Sequence, residues 1–406
     1  LNFYGREAVQ TNSPLSERID QAIANQQDHN SFRPAMTFLA NKRLAQFPDT
    51  GELQQLRNNA ANIRSNSIHN LPDLLETLEQ NLQKNNIHVH WAEDALAANN
   101  IVLDILNKAN AKTVVKGKSM VTEEIGLNQF LIENDIDILE TDLGEYIIQL
   151  AQETPSHIVM PAIHKSRQEI AELMYQFFPE FGYTEDVNQL TERARKILRD
   201  RFQTADAGIS GVNFAVAETG TLCLVENEGN GRMCTSVPDL HIAVTGIEKV
   251  VEKLSDVPAL LEMLTKSATG QPITTYFNMI SSPKKEGEKD GPSAVHLVLL
   301  DNGRSDISIN NETLEVLKCI RCGSCINHCP VYVQLGGHAY GSVYPGPIGI
   351  ALEPMKQGVG AVGDLTSLCT MCGACAQVCP VKIPLPTLIN QLRHDVVRAN
   401  NGVESA

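Results

Sequence analysis

The chain has 406 residues, of which 42% are hydrophobic and 20% charged, and its formal net charge is −15. That length suggests two or three domains and can bury a sizeable core without covalent staples. The acidic balance argues against nucleic acid as a main partner, because phosphate binding needs clustered Lys and Arg, and no stretch approaches the roughly 20 apolar residues of a membrane span.

No signal peptide opens the sequence, so a cytoplasmic location is the default, with membrane association only through partners. The first residue is Leu1 rather than Met, which reads as a trimmed or processed start. Residues 1–85 read as a helical, polar region. Between 52 and 82 the apolar residues Leu53, Leu56, Ile63, Leu71, Leu74, Leu75, Leu78 and Leu82 recur at helical spacing, with Pro72 in a first turn or at a break.

From residue 86 to 306 short apolar runs alternate with amphipathic stretches. Residues 87–91, 113–116, 136–139 and 158–160 read as strands, and residues 94–108, 122–133, 143–151 and 166–177 as helices. That alternation predicts a mainly parallel α/β sheet. A charged helix at 187–202 leads to a second half. There 212–217 and 221–226 flank Glu218-Thr219-Gly220 as a hairpin, and 242–244, 273–279 and 295–300 add strands. Residues 282–292 form a charged surface loop. Residues 307–406 make the C-terminal domain.

Eight of the ten cysteines lie between 319 and 379. They form Cys319-Ile-Arg-Cys322-Gly-Ser-Cys325-Ile-Asn-His-Cys329-Pro330 and Cys369-Thr-Met-Cys372-Gly-Ala-Cys375-Ala-Gln-Val-Cys379-Pro380. Both match the ferredoxin run C-x2-C-x2-C-x3-C-P. Three thiolates two residues apart can wrap three corners of a cube if the loop is tight, and Gly323 and Gly373 let it bend. The fourth cysteine of each run ligates the other cluster. The expected ligands are therefore Cys319, Cys322, Cys325 and Cys379 for one 4Fe–4S cluster, and Cys369, Cys372, Cys375 and Cys329 for a second. Structural zinc prefers two ligand pairs separated by a longer loop, and a disulfide scaffold would spread its cysteines through a small secreted domain. Between the runs, Gly336-Gly337-His338-Ala-Tyr340-Gly341 and Tyr344-Pro345-Gly346-Pro347 read as loop rather than helix, either a docking surface for a redox partner or a shield over the clusters. Cys223 reads as a buried strand residue, and Cys234 as a loop residue.

The strand 113–116 runs into Gly117-Lys118-Ser119, which resembles a P-loop ending, but Lys112 stands where a Walker A motif needs Gly. Strand, glycine and a helix capped by Ser119 or Thr122 still make an anion-binding end. Lys116 and Lys118 would add charge to it, or they are solvated lysines beside a capped helix. Glu140, Asp142 and Glu145 follow the next strand, beyond whose carboxyl end ligands bind in open α/β sheets, or they serve the helix dipole. His157 and His164 flank 158–160, either as structural histidines or, with Glu140 and Asp142, as a metal or proton-transfer site. The expectation is an anion-binding end of Lys116, Lys118 and Ser119 facing Glu140, Asp142 and both histidines. Glu124 is a further candidate base or metal ligand. Asn213, Glu218, Thr219, Gly220, Asn227, Asp301 and Arg304 are polar residues at turns of the second half, and Asn213, Thr219, Gly220 and Arg304 are candidates for substrate contact. No Gly-x-Gly-x-x-Gly fingerprint appears, which makes NAD use unexpected.

The runs Val115-Lys-Gly-Lys-Ser-Met-Val-Thr-Glu-Glu-Ile125, Glu140-Thr-Asp-Leu-Gly-Glu145, Asn213-Phe-Ala-Val-Ala-Glu-Thr-Gly220 and Asp301-Asn-Gly-Arg304, with both cysteine runs, resemble the B-type iron–sulfur subunit of the bacterial lactate-utilisation system. The resemblance covers nearly the whole chain. It implies an α/β lactate-utilisation (LUD) domain similar in fold to the ribose-phosphate isomerase and CoA-transferase superfamily, followed by a two-cluster ferredoxin-like domain. It also implies a three-protein complex oxidising L-lactate to pyruvate, with a cysteine-rich-domain iron–sulfur subunit and a small LUD-domain subunit as partners. Members of that family often continue past the second motif, whereas this sequence ends at Ala406. The expected function is electron transfer from L-lactate through the two clusters to an unidentified acceptor, as a subunit of an NAD-independent oxidoreductase. The rivals are oxidation of a 2-hydroxy acid by the LUD domain itself, with an additional metal there, and a non-catalytic scaffold or redox sensor.

Overall fold

The computed structural model describes residues 13–309 and 312–401. The described chain opens with helices Leu15–Ala24, Gln26–Ala45, Thr50–His69 and Leu71–Lys84. The apolar run expected over 52–82 is shared between the last two. Pro72 falls in the first turn of Leu71–Lys84, where its missing N–H breaks no ladder. Leu71, Leu75, Leu78 and Leu82, one stripe at helical spacing, are buried. Asp49 starts Thr50–His69, its Oδ1 accepting from the Gly51 and Glu52 N–H groups at 2.7 and 3.2 Å.

The strands are β1 Ile87–Ala92, β2 Thr113–Lys116, β3 Asp137–Glu140, β4 Ala207–Ser210, β5 Phe214–Val216, β6 Thr221–Glu226, β7 Leu240–Gly246, β8 Val250–Val251, β9 Tyr276–Ile280 and β10 Ala294–Leu300. Six form a wholly parallel sheet in the order β1-β10-β7-β4-β2-β3. Every residue of the central β7 is buried, as a parallel strand covered on both faces requires. On one face Val114, Ile138, Ile209, Ile242 and Val298 pack on Ala98, Val102, Ile105 and Leu106 of helix Ala95–Lys108. On the other, Val295, Leu297 and Leu299 pack on the leucine stripe of Leu71–Lys84. The N-terminal helices are thus part of the core. The second sheet, β8-β5-β6-β9, carries the expected hairpin between β5 and β6. Gly220 turns it at φ +60°, and a Cβ there would lie 2.7 Å from the Asn81 backbone.

Several expectations are corrected. Residues 158 and 159 are bends and 160 is irregular, so 158–160 is not a strand. The Val159 and Met160 N–H groups, which a strand would lend to a neighbour, donate instead to His157 Nδ1 at 3.0 and 3.1 Å. The helix expected over 122–133 is two, Met120–Glu124 and Leu127–Glu133, divided at Gly126 with φ +62°. Cys234 lies in helix Asn230–Ser236, not in a loop, and is fully buried. The insert between the cysteine runs contains helix Gly346–Gln357, with Pro347 in its first turn. Its Ile348, Ile350, Ala351 and Leu352 are buried, so this segment covers the cysteine motifs as part of the core.

Candidate functional site

The two cysteine runs adopt the same backbone. Gly323 and Gly373 are left-handed at φ +73° and +80°, and so are Arg321 and Met371, two residues after each leading cysteine. These turns aim N–H groups at sulfur: Arg321 N to Cys319 Sγ and Met371 N to Cys369 Sγ, both 3.4 Å, and Ile383 N to Cys379 Sγ at 3.3 Å. Cys319, Cys322, Cys325 and Cys379 line one small cavity, walled by Ile158, Ile320, Ile348, Val381, Ile383 and Leu385. Soft thiols, apolar walls and N–H···S contacts are the donor set and surroundings that a 4Fe–4S cluster takes. The two groups differ in exposure. Each group has one half-buried cysteine, Cys319 and Cys369; the others are buried except Cys372, which is exposed. A Cβ at Gly323 would meet Val159 and His157 at 3.1 and 3.3 Å, while one at Gly373 would meet nothing.

Arginines from the N-terminal helices hold the motif loops. Arg43 Nη2 donates to Val378 O at 3.0 Å, and Arg57 donates to Cys379 O and Ala376 O at 2.9 and 2.8 Å. Arg64, 1% exposed, donates to Lys318 O, Leu317 O and Val250 O at 3.2, 3.1 and 2.8 Å, and to Glu248 O. These arginines were not picked out from the sequence. The usable signal was Arg57 and Arg64 at i, i+7 on the stripe that also carries Ala60, Ala61 and Ile68.

Between the LUD and cysteine regions lies a buried ion network. Arg304 contacts Glu248 at 2.6 Å and forks onto Glu124 at 2.9 and 3.0 Å. Lys356 also pairs with Glu124, and Tyr344 Oη donates to it at 2.8 Å. Arg321 lies 3.6 Å from Glu248 and stacks over Tyr344. Burial alone would raise the Glu124 carboxyl; Arg304 and Lys356 outweigh it and hold the group well below the usual carboxylate range. Glu124 is therefore a clamped carboxylate rather than the expected base, and Arg304 is committed to carboxylates of this chain rather than to a substrate.

The expected anion-binding end is also only partly assembled. Lys116, fully buried, pairs with Glu140 at 2.5 Å and Glu123 at 3.3 Å. Burial would depress its ammonium, but Glu140 and Glu123 more than offset that and raise it above its ordinary value. Lys116 and Glu140 thus neutralise each other. Ser119 caps Met120–Glu124 by accepting from Thr122 N at 3.3 Å, and Asp142 caps Leu143–Ala151 by accepting from Glu145 N at 3.2 Å. His157 is not beside Glu140: buried, it faces Asn327 Oδ1 at 2.9 Å and touches the first cysteine motif through Gly323. Burial lowers its pKa to about 3, so the ring is neutral. His164 pairs with Glu153 at 2.8 Å and lies edge-on to His338. His157, His164, Glu140 and Asp142 thus each have a different partner, in Asn327, Glu153, Lys116 and the Glu145 N–H, and do not face one another as the expected site. Asn213 and Thr219 hold the second sheet, accepting from Val225 N and donating to Thr221 Oγ1, each at 2.8 Å.

What does assemble beyond the ends of β2 and β3 is Lys118 with Asp142, Glu145 and Glu228. Lys118 Nζ donates to Val159 O at 2.6 Å. Glu145 is 1% exposed and neither carboxylate oxygen has a partner. Burial, with Glu123 next, pushes its carboxyl well above the ordinary value. Burial and then Asp142 push Glu228 up to about 7. Glu228 was not anticipated, because the loop that carries it lies 85 residues from its hydrogen-bond partner Leu143 N. A cleft of about 620 Å³ lies elsewhere, between residues 122–129, residues 340–343 and Glu353, Lys356 and Gln357. No helix among the described residues is long and apolar enough to cross a membrane.

The family model for the LUD domain matches residues 75–300, and that for the 4Fe-4S dicluster domain matches residues 315–383. An uncharacterized electron transport protein of Escherichia coli (strain K12), YkgF, is 43% identical over 395 residues, 97% of this chain and 82% of that protein. Lactate utilization protein B of Bacillus subtilis (strain 168) is 43% identical over 384 residues, 94% of this chain and 80% of that protein. A crystal structure of a DUF162 family protein from Deinococcus radiodurans, 16% identical, covers 57% of this chain and 98% of its own length at a TM-score of only 0.33. Two ferredoxin-type cysteine runs, joined to a parallel α/β domain, thus agree with relatives that match 94–97% of this chain: the chain belongs to the lactate utilization protein B family and carries two 4Fe–4S clusters.

Proposed function

We propose that this chain is the iron–sulfur electron-transfer subunit of a multi-subunit, NAD-independent L-lactate dehydrogenase complex in the cytoplasm. The observation that carries this reading is the arrangement of the eight cysteines. One group, with Cys322, Cys325 and Cys379 buried and Cys319 partly so, lies against Ile158 of the LUD domain; the other opens to solvent at Cys372. Bound there, each cluster supplies one-electron carriage, and the pair leads from interior to surface. Cys319, Cys322, Cys325 and Cys379 would hold the inner cluster, and Cys329, Cys369, Cys372 and Cys375 the outer one. The chain's own part is to hold the thiols, donate N–H groups to sulfur and exclude water from the inner site. The relatives' names supply lactate as the electron source. The partners would be the cysteine-rich-domain subunit and the small LUD-domain subunit. The test is L-lactate-dependent dye reduction by the purified complex with subunits omitted in turn. Full activity without this chain, or with cluster-free chain, would refute electron transfer through it.

A second reading, that the LUD domain holds the 2-hydroxy acid, is favoured by one contact. Lys118 donates to Val159 O, and Val159 lies against Gly323 of the first cysteine motif. A carboxylate bound by Lys118 would sit beside the inner cluster, with Glu228, pushed up to about 7, as proton acceptor. On this reading Lys118→Ala lowers lactate turnover at unchanged iron content. Unchanged turnover would move substrate binding to a partner and leave the LUD domain as scaffold.

A further inference from the structure

The two cysteine groups sit in unequal electrostatic surroundings. Around the Cys319 group, Arg43, Arg57 and Arg64 reach in from helices Gln26–Ala45 and Thr50–His69, each 6% exposed or less. They donate to carbonyls of residues 317–318, 376 and 378–379, in or beside the motif loops. Arg321, inside the first motif, adds a fourth guanidinium. At the matching left-handed position the second motif has neutral Met371, 38% exposed. Around the Cys369 group, Arg393 donates to Cys369 O and Thr366 O. Glu248 and Glu124 lie near the first motif, but Arg304 and Lys356 neutralise them.

Two effects oppose each other. Reduction adds a negative charge to an anionic cluster, and burial disfavours that. Nearby cations favour it, and the same low-dielectric surroundings strengthen their pull. Guanidinium groups stay charged at any working pH. Among the described residues Arg43, Arg57, Arg64 and Arg321 act on the thiols of the Cys319 group, against Arg393 at the other, so the sites differ in fixed positive charge as well as in burial. We propose that Arg43, Arg57 and Arg64 hold the midpoint potential of the Cys319 cluster above that of the Cys369 cluster, making the buried cluster the electron sink and the solvent-facing one the point of exchange. This rests on the two-cluster ligation proposed above. One electron moves and no bond forms or breaks; in the complex the electron derives from the 2-hydroxy acid.

The test is an anaerobic potentiometric titration of the full-length holoprotein with dithionite, followed by electron paramagnetic resonance. Cys372→Ser alters the spectrum of the outer cluster and so tells the two signals apart. The expected result is that the signal insensitive to Cys372→Ser develops at the higher potential. Arg57→Gln should lower that potential alone, by at least a tenfold change in the reduced-to-oxidised ratio, about 59 mV for one electron. Arg57→Lys, which keeps the charge and loses the forked hydrogen bonds, should stay near wild type. Arg43→Gln, which removes one carbonyl contact, gives the same reading should Arg57→Gln lose iron. Equal potentials, the Cys372-sensitive signal developing first, or iron-replete Gln variants titrating like wild type would overturn the proposal. Wild-type iron and sulfide far below about eight each would instead overturn the ligation beneath it.

Discussion

Replacing Lys116 by methionine keeps the length of the side chain and removes one end of a buried ion pair. Lys116 is 0% exposed and Glu140 1%, with Nζ and Oε1 2.5 Å apart. After the change Glu140 Oε1 keeps only the Asn128 amide at 2.6 Å, and Oε2 has no partner. At an effective dielectric of about 20, unit charges ~3 Å apart attract by roughly 5–6 kcal/mol. Part of that is recovered because the stranded carboxyl can take up a proton. Removing one partner of a buried pair typically costs about 3–5 kcal/mol, which at roughly 2–4 °C per kcal/mol for a domain of this size lowers the melting temperature by about 6–20 °C. The assay is thermal unfolding of the holoprotein at a fixed scan rate, followed by fluorescence of Trp91. The double variant Lys116→Met with Glu140→Met supplies the control, because with both charges gone stability should return to the wild-type level or exceed it. Were Lys116 a substrate-binding cation instead, the single variant would melt like wild type. That result, or a double variant as unstable as the single, would refute the reasoning.

Cys379→Ala should damage the inner cluster and leave the outer one more intact; spectroscopy showing loss of the outer signal alone would reverse the ligand assignment. His241 is fully buried, its Nε2 2.8 Å from Ser210 Oγ. Burial, then His296, lowers its pKa to about 4, so the folded state holds the neutral ring. Its contribution is complete above the unfolded value near 6.5 and is lost as pH falls toward 4. The stability gap between wild type and His241→Asn should therefore shrink by about 1 kcal/mol between pH 7.5 and 5.5, and a gap that widens would contradict the sign. A Cβ at Gly208 would lie 1.8 Å from the Cys234 carbonyl oxygen; Gly208→Ala should sharply reduce soluble yield or melting temperature, and a wild-type melt would show that helix Asn230–Ser236 can shift.

Much of this protein is local in its sequence. The spacing within each cysteine run, the apolar runs of β1, β2 and β10, and the leucine stripe of Leu71–Lys84 are set by neighbours a few residues apart, where backbone periodicity alone decides the pattern. The tertiary structure decided which charges are free. Lys116 and Glu140 both stand where a ligand would be expected, yet they face each other because β2 and β3 pair in register. Residues 158–160 have the composition of a strand and lose it to the His157 ring. Arg43, Arg57 and Arg64 sit 335, 322 and 254 residues from motif-region carbonyls they hold. Along its own helix an arginine on a partly apolar stripe looks like a solvated side chain. Only packing that buries it against unsatisfied carbonyls makes it a structural cation beside a cluster, because the cost of an unpaired buried group is settled by whichever partner the fold brings within reach.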